Sequence, residues 1–144
     1  MRRLAVILAL LAVAGGLAAC GGSSNSNSDK AQITSAYVNF FAGKTSVADR
    51  VALLQNGPKF KSVVQSFASN PLAKTAKAKV DSVTMEGPNK AQVAYNVSIS
   101  GASLTTQVGT AVKQNGTWKV GDASLCRLIA IQGTTPAACK NVTS

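Results

Sequence analysis

The sequence predicts an α+β fold, in which three N-terminal helices pack on a curved four-stranded antiparallel sheet and a short C-terminal helix follows. Apolar residues recur at helical spacing up to about residue 70 and alternate with polar residues from about residue 76. An Asn115-Gly116 pair then separates two alternating segments, as in a β-hairpin. Helices with apolar stripes need an apolar surface to cover, and a sheet with one apolar face provides it.

Each N-terminal helix has its own start and stop signals. The first helix is predicted over residues 29–43, with an apolar stripe formed by Ile33, Ala36, Tyr37, Phe40 and Phe41. The second follows a cap at Thr45 or Ser46 and runs to Asn56, and Ser46 and Asp49 fit a capping box. The third begins with a proline, which suits a first helical turn, and spans residues 58–70.

Four strands are predicted from the alternation that follows. The first, over residues 76–85, changes parity near Asp81, which indicates a β-bulge. The second covers residues 91–99. The third contains an alternating set in which Val108 is predicted to face inward, namely Leu104, Thr106, Val108, Thr110 and Val112. The fourth continues beyond Asn115-Gly116, and residues 124–131 fit a helix or a last strand, with the helix favoured.

The N-terminus has the order of a secretory signal. Arg2 and Arg3 precede an apolar run over residues 4–14, which is too short to cross a bilayer comfortably, and small residues follow. The end of this segment, Leu17-Ala18-Ala19-Cys20, resembles a bacterial lipobox. The resemblance implies removal of residues 1–19 and a lipid on the thiol of Cys20, which becomes the mature N-terminus.

Residues 20–28 are predicted to hold the protein to the membrane. Two or more acyl chains anchor firmly, since each buried methylene contributes about 0.8 kcal/mol. The stretch after Cys20 has only glycine, serine and asparagine, which predicts a flexible tether of about 15 Å. The expected location is therefore the extracytoplasmic face of the cell membrane, with one domain over residues 29–144.

The charge of the chain indicates which partners it favours at the membrane. Losing Arg2 and Arg3 lowers the formal net charge from +10 to +8. A basic exported domain favours anionic surroundings, such as phospholipid headgroups or acidic envelope polymers, although the charge also serves solubility alone. Nucleic acid is not an expected partner for an exported lipoprotein.

The remaining cysteines predict a disulfide. With Cys20 lipidated, Cys126 and Cys139 form an even pair in an oxidising compartment. Two thiols are too few for a metal site and the chain has no histidine, so neither a metal nor another cofactor is expected.

Three stretches of the domain resemble a known family: AQITSAYVNFFAG, VSISGASLTTQV and NGTWKVGDASLCRLIA. They are similar to the exported low-molecular-weight antigen family of mycobacteria and related actinobacteria, over residues 31–132. The cysteine pair and the lipobox are similar to the lipoprotein branch of that family. The resemblance implies a nuclear-transport-factor-two-like or cystatin-like cone, and it provides no catalytic residues.

The carboxylates leave one candidate for catalysis. Four occupy predicted structural positions, at the tether end, a helix cap, a turn and a strand end: Asp29, Asp49, Glu86 and Asp122. Asp81 lies at the predicted bulge, where it could enter a pocket as a base with Tyr95 as partner. The alternative places Asp81 in solvent beside Lys79. We expect a protein that is not an enzyme.

Binding is the expected activity, and two surfaces could provide it. A concave sheet could hold a small apolar ligand against Val93, Tyr95, Val97, Val108 and Trp118, although inward apolar residues are usually plain core. A lysine cluster could dock on anionic headgroups or polymers, although lysines also protect edge strands: Lys59, Lys61, Lys74, Lys77 and Lys79.

Overall fold

A computed structural model describes residues 23–131 and 133–142. Its four α-helices are α1 (Ser23–Phe41), α2 (Val47–Leu53), α3 (Lys61–Ser69) and α4 (Asp122–Ala130). Short 3₁₀ turns cover Gly57–Phe60, Pro71–Thr75 and Ala137–Cys139. None of the helices in these ranges is both long enough and apolar enough to cross a membrane.

The strands form one curled antiparallel sheet. They are β1 (Lys77–Met85), β2 (Lys90–Ile99), β3 (Ala102–Ser103), β4 (Gln107–Gln114) and β5 (Thr117–Val120). The order is β1-β2-β4-β5, and the two-residue β3 pairs with the end of β2. The predicted α+β fold is therefore confirmed, with three helices before the sheet and one after it.

Local signals in the sequence account for most element boundaries. Ser46 caps α2, since its Oγ accepts a hydrogen bond from the backbone N–H of Asp49 at 3.1 Å. The β1–β2 register shifts between Val80 and Ser82, which confirms the bulge at Asp81. At the β4–β5 turn Asn115 and Gly116 have φ of 52° and 77°, as a two-residue hairpin of this kind requires.

The core lies between α1 and the inner face of the sheet. Helix α1 contacts β1 and β5. Its stripe is buried at every predicted position, and Tyr37, Phe40 and Phe41 are at most 1% exposed. The ring of Tyr37 packs edge-on against Tyr95 of β2 with centroids 4.9 Å apart, and Phe41 stacks on Tyr95 at 5.3 Å.

The start of α1 differs from the prediction. Composition predicted a flexible tether as far as Ser28, whereas the helix begins at Ser23. The physical reason is tertiary: Asp29, assigned to the tether end, forms an ion pair with Lys113 of β4 at 3.2 Å and fixes this part of α1 on the sheet. Gln32 also donates a hydrogen bond to the Ser28 hydroxyl one turn earlier.

The inward face of β4 is also opposite to the predicted one. Gly109 and Ala111 point into the core, whereas Val108 is 44% exposed. A Cβ at Gly109 would lie 2.6 Å from both the Tyr37 hydroxyl and the Ser124 hydroxyl. Only glycine fits there, so β4 turns its larger side chains outward.

Candidate binding surfaces

The residues predicted to line an apolar pocket are part of the packed core. Val93, Tyr95, Val97 and Trp118 are at most 2% exposed, and Val108 lies on the opposite face of the sheet. None of the clefts described below is lined by them. The pocket prediction is therefore wrong for this group, because the aromatic rings of α1 fill the concavity of the sheet.

A buried polar network completes the packing. The Tyr37 hydroxyl donates to the Thr110 carbonyl at 2.7 Å and lies 3.1 Å from the Ser124 Oγ. The same Oγ accepts the backbone N–H of Thr110 at 2.8 Å. Burial raises the pKa of Tyr37 well above its usual range and that of Tyr95 to about 12. Both phenols therefore stay neutral and structural near neutral pH.

Asp81 and Tyr95 do not form an acid–base pair. Tyr95 belongs to the inner face, while Asp81 is on the outside, accepting a hydrogen bond from the Asn96 amide. Its carboxylate also lies 3.4 Å from the Lys79 ammonium. The sheet separates the two side chains, as predicted by the alternative that places Asp81 in solvent.

The five lysines of the predicted cluster are exposed, but they occupy different surfaces. Lys77 and Lys79 are together on the outer face of β1, along a shallow groove of about 540 Å³ that continues over β2 and β3. Lys74 lies in the 3₁₀ turn just before β1. Lys61 begins α3, and Lys59 lines a separate cleft.

That separate cleft, of about 650 Å³, opens between the loop after α2, the start of α4 and the C-terminal segment. Its wall carries a network that the sequence did not indicate. The Asn56 amide donates to the Asp122 carboxylate at 2.9 Å, and the Gln114 amide donates to the Asn56 side-chain oxygen at 3.1 Å. Asn56 itself has a φ of 52°, the left-handed conformation that asparagine tolerates.

The disulfide between Cys126 and Cys139 is present, with Cα atoms 5.5 Å apart. It joins α4 to the last 3₁₀ turn, where Cys139 is buried in the core cluster. The segment that forms one side of the 650 Å³ cleft is thus fixed covalently. Cys20 and the predicted signal lie outside the described residues.

A third cleft, of about 610 Å³, lies at the start of α1 and beside the β1–β2 turn. The Asp29–Lys113 ion pair lines it, and the Lys113 ammonium is 5.6 Å from the Trp118 ring centre. The Trp118 N–H makes no hydrogen bond of good geometry with the described residues. The dipole of this Trp118 N–H group and the charge of Lys113 nevertheless lower the pKa of the Asp29 carboxyl.

Arg50 of α2 is a buried cation that the sequence analysis missed. It is 1% exposed, its Nη2 donates to the Ala42 carbonyl at 2.7 Å, and its guanidinium covers the Phe67 ring at 5.3 Å. Burial lowers the pKa of this guanidinium. Arg50 lies in a short helix between buried segments, but helical spacing alone does not predict that its side chain is buried.

Metal binding receives no support from residues 23–131 and 133–142, where no three of the side chains His, Cys, Asp or Glu come together as ligands. The carboxylates are dispersed instead. Each of the five contacts a different cation or hydrogen-bond donor: Asp29 with Lys113, Asp49 with Ser46, Asp81 with Lys79, Glu86 with Lys90, and Asp122 with Asn56.

Comparison with known proteins identifies a family. The family described as low molecular weight antigen MTB12, C-terminal domain, matches residues 27–136. No curated protein matches the chain significantly. A crystal structure from Campylobacter jejuni, provisionally named an NTF2-like transpeptidase, is similar with a TM-score of 0.42 and 10% identity. The similarity covers 69% of this chain and 97% of that one.

Proposed function

We propose that this chain, which belongs to the low-molecular-weight antigen MTB12 family, is an exported lipoprotein whose domain is a non-catalytic interaction module. The observation that carries the proposal is the contrast between the two faces of the sheet. Side chains that could have formed an internal site are packed, while the outer surface carries the excess of lysine. Binding at that surface needs no internal chemistry.

The lipid on Cys20 is the part of the proposal that sets location. The lipobox resemblance supports it, and the helix start adds a constraint: Cys20 is three residues before Ser23, the first residue of α1. Three Cα–Cα steps of about 3.8 Å span at most about 11 Å. A lipid at Cys20 would therefore hold the domain close to the bilayer.

Membrane partition of the Cys20→Ser variant tests the anchor. We expect the wild-type protein in the membrane fraction and the variant in the soluble exported fraction, because the variant has no thiol to acylate. Ser24→Ala serves as a matched control that leaves the lipobox intact. A Cys20→Ser protein that stays with the membrane as strongly as wild type contradicts the assignment.

The non-catalytic part of the proposal is supported by the carboxylate contacts. Asp81, the one candidate base, is engaged by Lys79 and Asn96 on the outside of the sheet. A turnover assay on envelope-derived substrates, with wild type and Asp81→Asn compared, tests it directly. Activity that Asp81→Asn abolishes while the fold survives would overturn the proposal in favour of an enzyme.

A second candidate function is small-molecule binding in the 650 Å³ cleft. Its favouring observation is the set of convergent polar groups, among them Lys59, Lys90 and Asp122, beside an apolar floor at Val112. A bound ligand would stabilise the fold by about 2.7 kcal/mol at a hundredfold excess over its dissociation constant. A thermal-shift screen of polar metabolites and lipids on the mature chain measures this, and Ala138→Trp, which fills the cleft, should remove any shift.

A further inference from the structure

The groove on the outer face of the sheet consists of two rows of polar side chains that cross the strands. In the first row, Lys77 of β1 is the cross-strand partner of Ser98 in β2, which is in turn the partner of Ser103 in β3. In the second row, Lys79 is the partner of Asn96, whose side-chain oxygen accepts from the Thr106 hydroxyl at 3.2 Å. Cross-strand neighbours of this kind lie about 5 Å apart, so the rows form a continuous surface.

The chemistry of this surface is that of a donor set for anions. The first row combines the Lys77 ammonium with the hydroxyls of Ser98 and Ser103, and charge-assisted hydrogen bonds from an ammonium are the stronger class. In the second row the Asn96 amide already donates to Asp81 and the Thr106 hydroxyl to Asn96, so Lys79 is the group of that row that attracts an anion. The first row crosses β1, β2 and β3, and the groove has a volume of about 540 Å³, which suits an extended ligand better than a single ion.

Charge in this region is unbalanced. Lys77 forms no ion pair within the described part of the chain, whereas Lys79 is 3.4 Å from Asp81. The backbone of Gly43 contacts that of Lys74, because a Cβ on the glycine would lie 2.0 Å from the Lys74 carbonyl oxygen. Lys44 and Lys74 therefore add positive charge near the end of the first row.

The groove also lies at the end of the domain away from the anchor. The Gly43 N–H, just beyond the end of α1, donates to the Ala76 carbonyl, next to Lys77. Met85, at the other end of β1, lines the cleft at the start of α1. Nineteen helical residues are about 28 Å long, so the lysines are far from Ser23, where the membrane tether would join.

From these observations we infer that the groove binds an extended anionic polymer of the cell envelope, one that carries phosphate or carboxylate groups, beyond the surface of the anchoring membrane. This inference rests on the proposed lipid anchor for its choice between polymer and headgroups. A flat headgroup layer reaches the exposed lysines, whereas a chain can also contact the half-buried Asn96 and Ser98 within the groove. Asp81 weakens the second row, because its carboxylate neutralises Lys79.

The test uses the lipidated full chain in vesicles of phosphatidylcholine, with fluorescent polyphosphate and polyglutamate as soluble probes. Wild type should capture at least one probe in a salt-sensitive manner. Lys77→Gln with Lys79→Gln should weaken capture at least tenfold, while the matched pair Lys30→Gln with Lys61→Gln, exposed lysines elsewhere, should change it less than twofold. Asp81→Asn should strengthen capture a few-fold.

Equal losses in the two lysine pairs would overturn the inference, because they would indicate attraction by net charge alone. Unchanged capture in the groove variant would also overturn it. If that variant also aggregates, the lysines protect the edge strand instead.

Energy transfer to labelled headgroups separates polymer from membrane. A fluorophore at Asn89, in the β1–β2 turn, should transfer more strongly than one at Ala102 of β3. Phosphatidylglycerol that draws the Ala102 position onto the bilayer would overturn the inference in favour of headgroups. Failure of the anchor itself is seen separately, because Cys20→Ser would then remain in the membrane while polymer capture by the groove could still be measured.

Discussion

The two faces of the sheet differ in burial and in polarity. On the inner face of β2, Val93, Tyr95 and Val97 are at most 2% exposed, and the Tyr95 ring packs against Tyr37 and Phe41 of α1. On the outer face of the same strand, Gln92 is exposed and Asn96 and Ser98 line an open groove. The concavity of the sheet is therefore filled by packing, and the open groove lies on the outer face.

Removal of an aromatic ring from the inner face should destabilise the protein most. Tyr95→Ala should lower the free energy of unfolding by about 3–5 kcal/mol, because it leaves a cavity between Tyr37 and Phe41. Gln92→Ala, on the outer face of the same strand, should change it by no more than about 0.5 kcal/mol. Urea denaturation of both variants measures the contrast, and similar losses would show that the two faces contribute equally.

The disulfide contributes to stability separately from the two faces of the sheet. Replacing Cys126 and Cys139 by alanine should cost about 3 kcal/mol, since the bridge closes a short loop across a sequence separation of 13 residues. The same denaturation experiment, with reductant added to wild type as control, measures it. Two alkylatable thiols in the non-reduced exported protein would contradict the bridge.

Alkaline pH should lower the free energy of unfolding through Tyr95 of the inner face. Burial raises the pKa of Tyr95 from 10.0 to about 12, so the stability it contributes is complete below pH 10 and is lost as the pH rises towards 12. A shift of two units corresponds to about 3 kcal/mol. Unfolding free energies from pH 8 to 12 should therefore fall, and Tyr95→Phe should fall less steeply. If the unfolding free energies of wild type and Tyr95→Phe fall in parallel with pH, the loss does not come from Tyr95.

A substitution on the outer face of the sheet should affect stability least. Asp81→Asn should change stability by less than about 1 kcal/mol, because the Lys79–Asp81 pair is solvent-exposed, with side chains 82% and 32% accessible. Differential scanning calorimetry of the variant provides the measurement. A loss of several kcal/mol would instead make the bulge at Asp81 a structural feature of the fold.

Much of the architecture could be predicted from local signals. The Ser46 cap, the bulge at Asp81 and the Asn115-Gly116 turn each depend on residues within a few positions, and the structure contains all three. The cysteine pair also needed no geometry, since two thiols in an exported chain leave one natural partnership. The family, predicted by resemblance, is confirmed over residues 27–136.

The candidate surfaces were predicted less well, because they depend on distant partners. Alternation along β4 placed Val108 inside, and the side chain is outside. A single strand reports its period but not which parity faces the core. The Asn56–Asp122 contact joins residues 66 positions apart, and no local pattern indicates it.

The order of helices and strands, the disulfide partners and the basic charge could be predicted from the chain alone, because each follows from short-range periodicity or composition. The filling of the concavity of the sheet, the extent of α1 and the buried face of β4 depend instead on contacts between distant residues. Gly109 shows the physical reason: the space for its side chain is taken by Tyr37 and Ser124, residues 72 positions before it and 15 after it in the chain. Packing among such distant residues allows only one face of β4 to point into the core, and only the folded molecule brings these residues together.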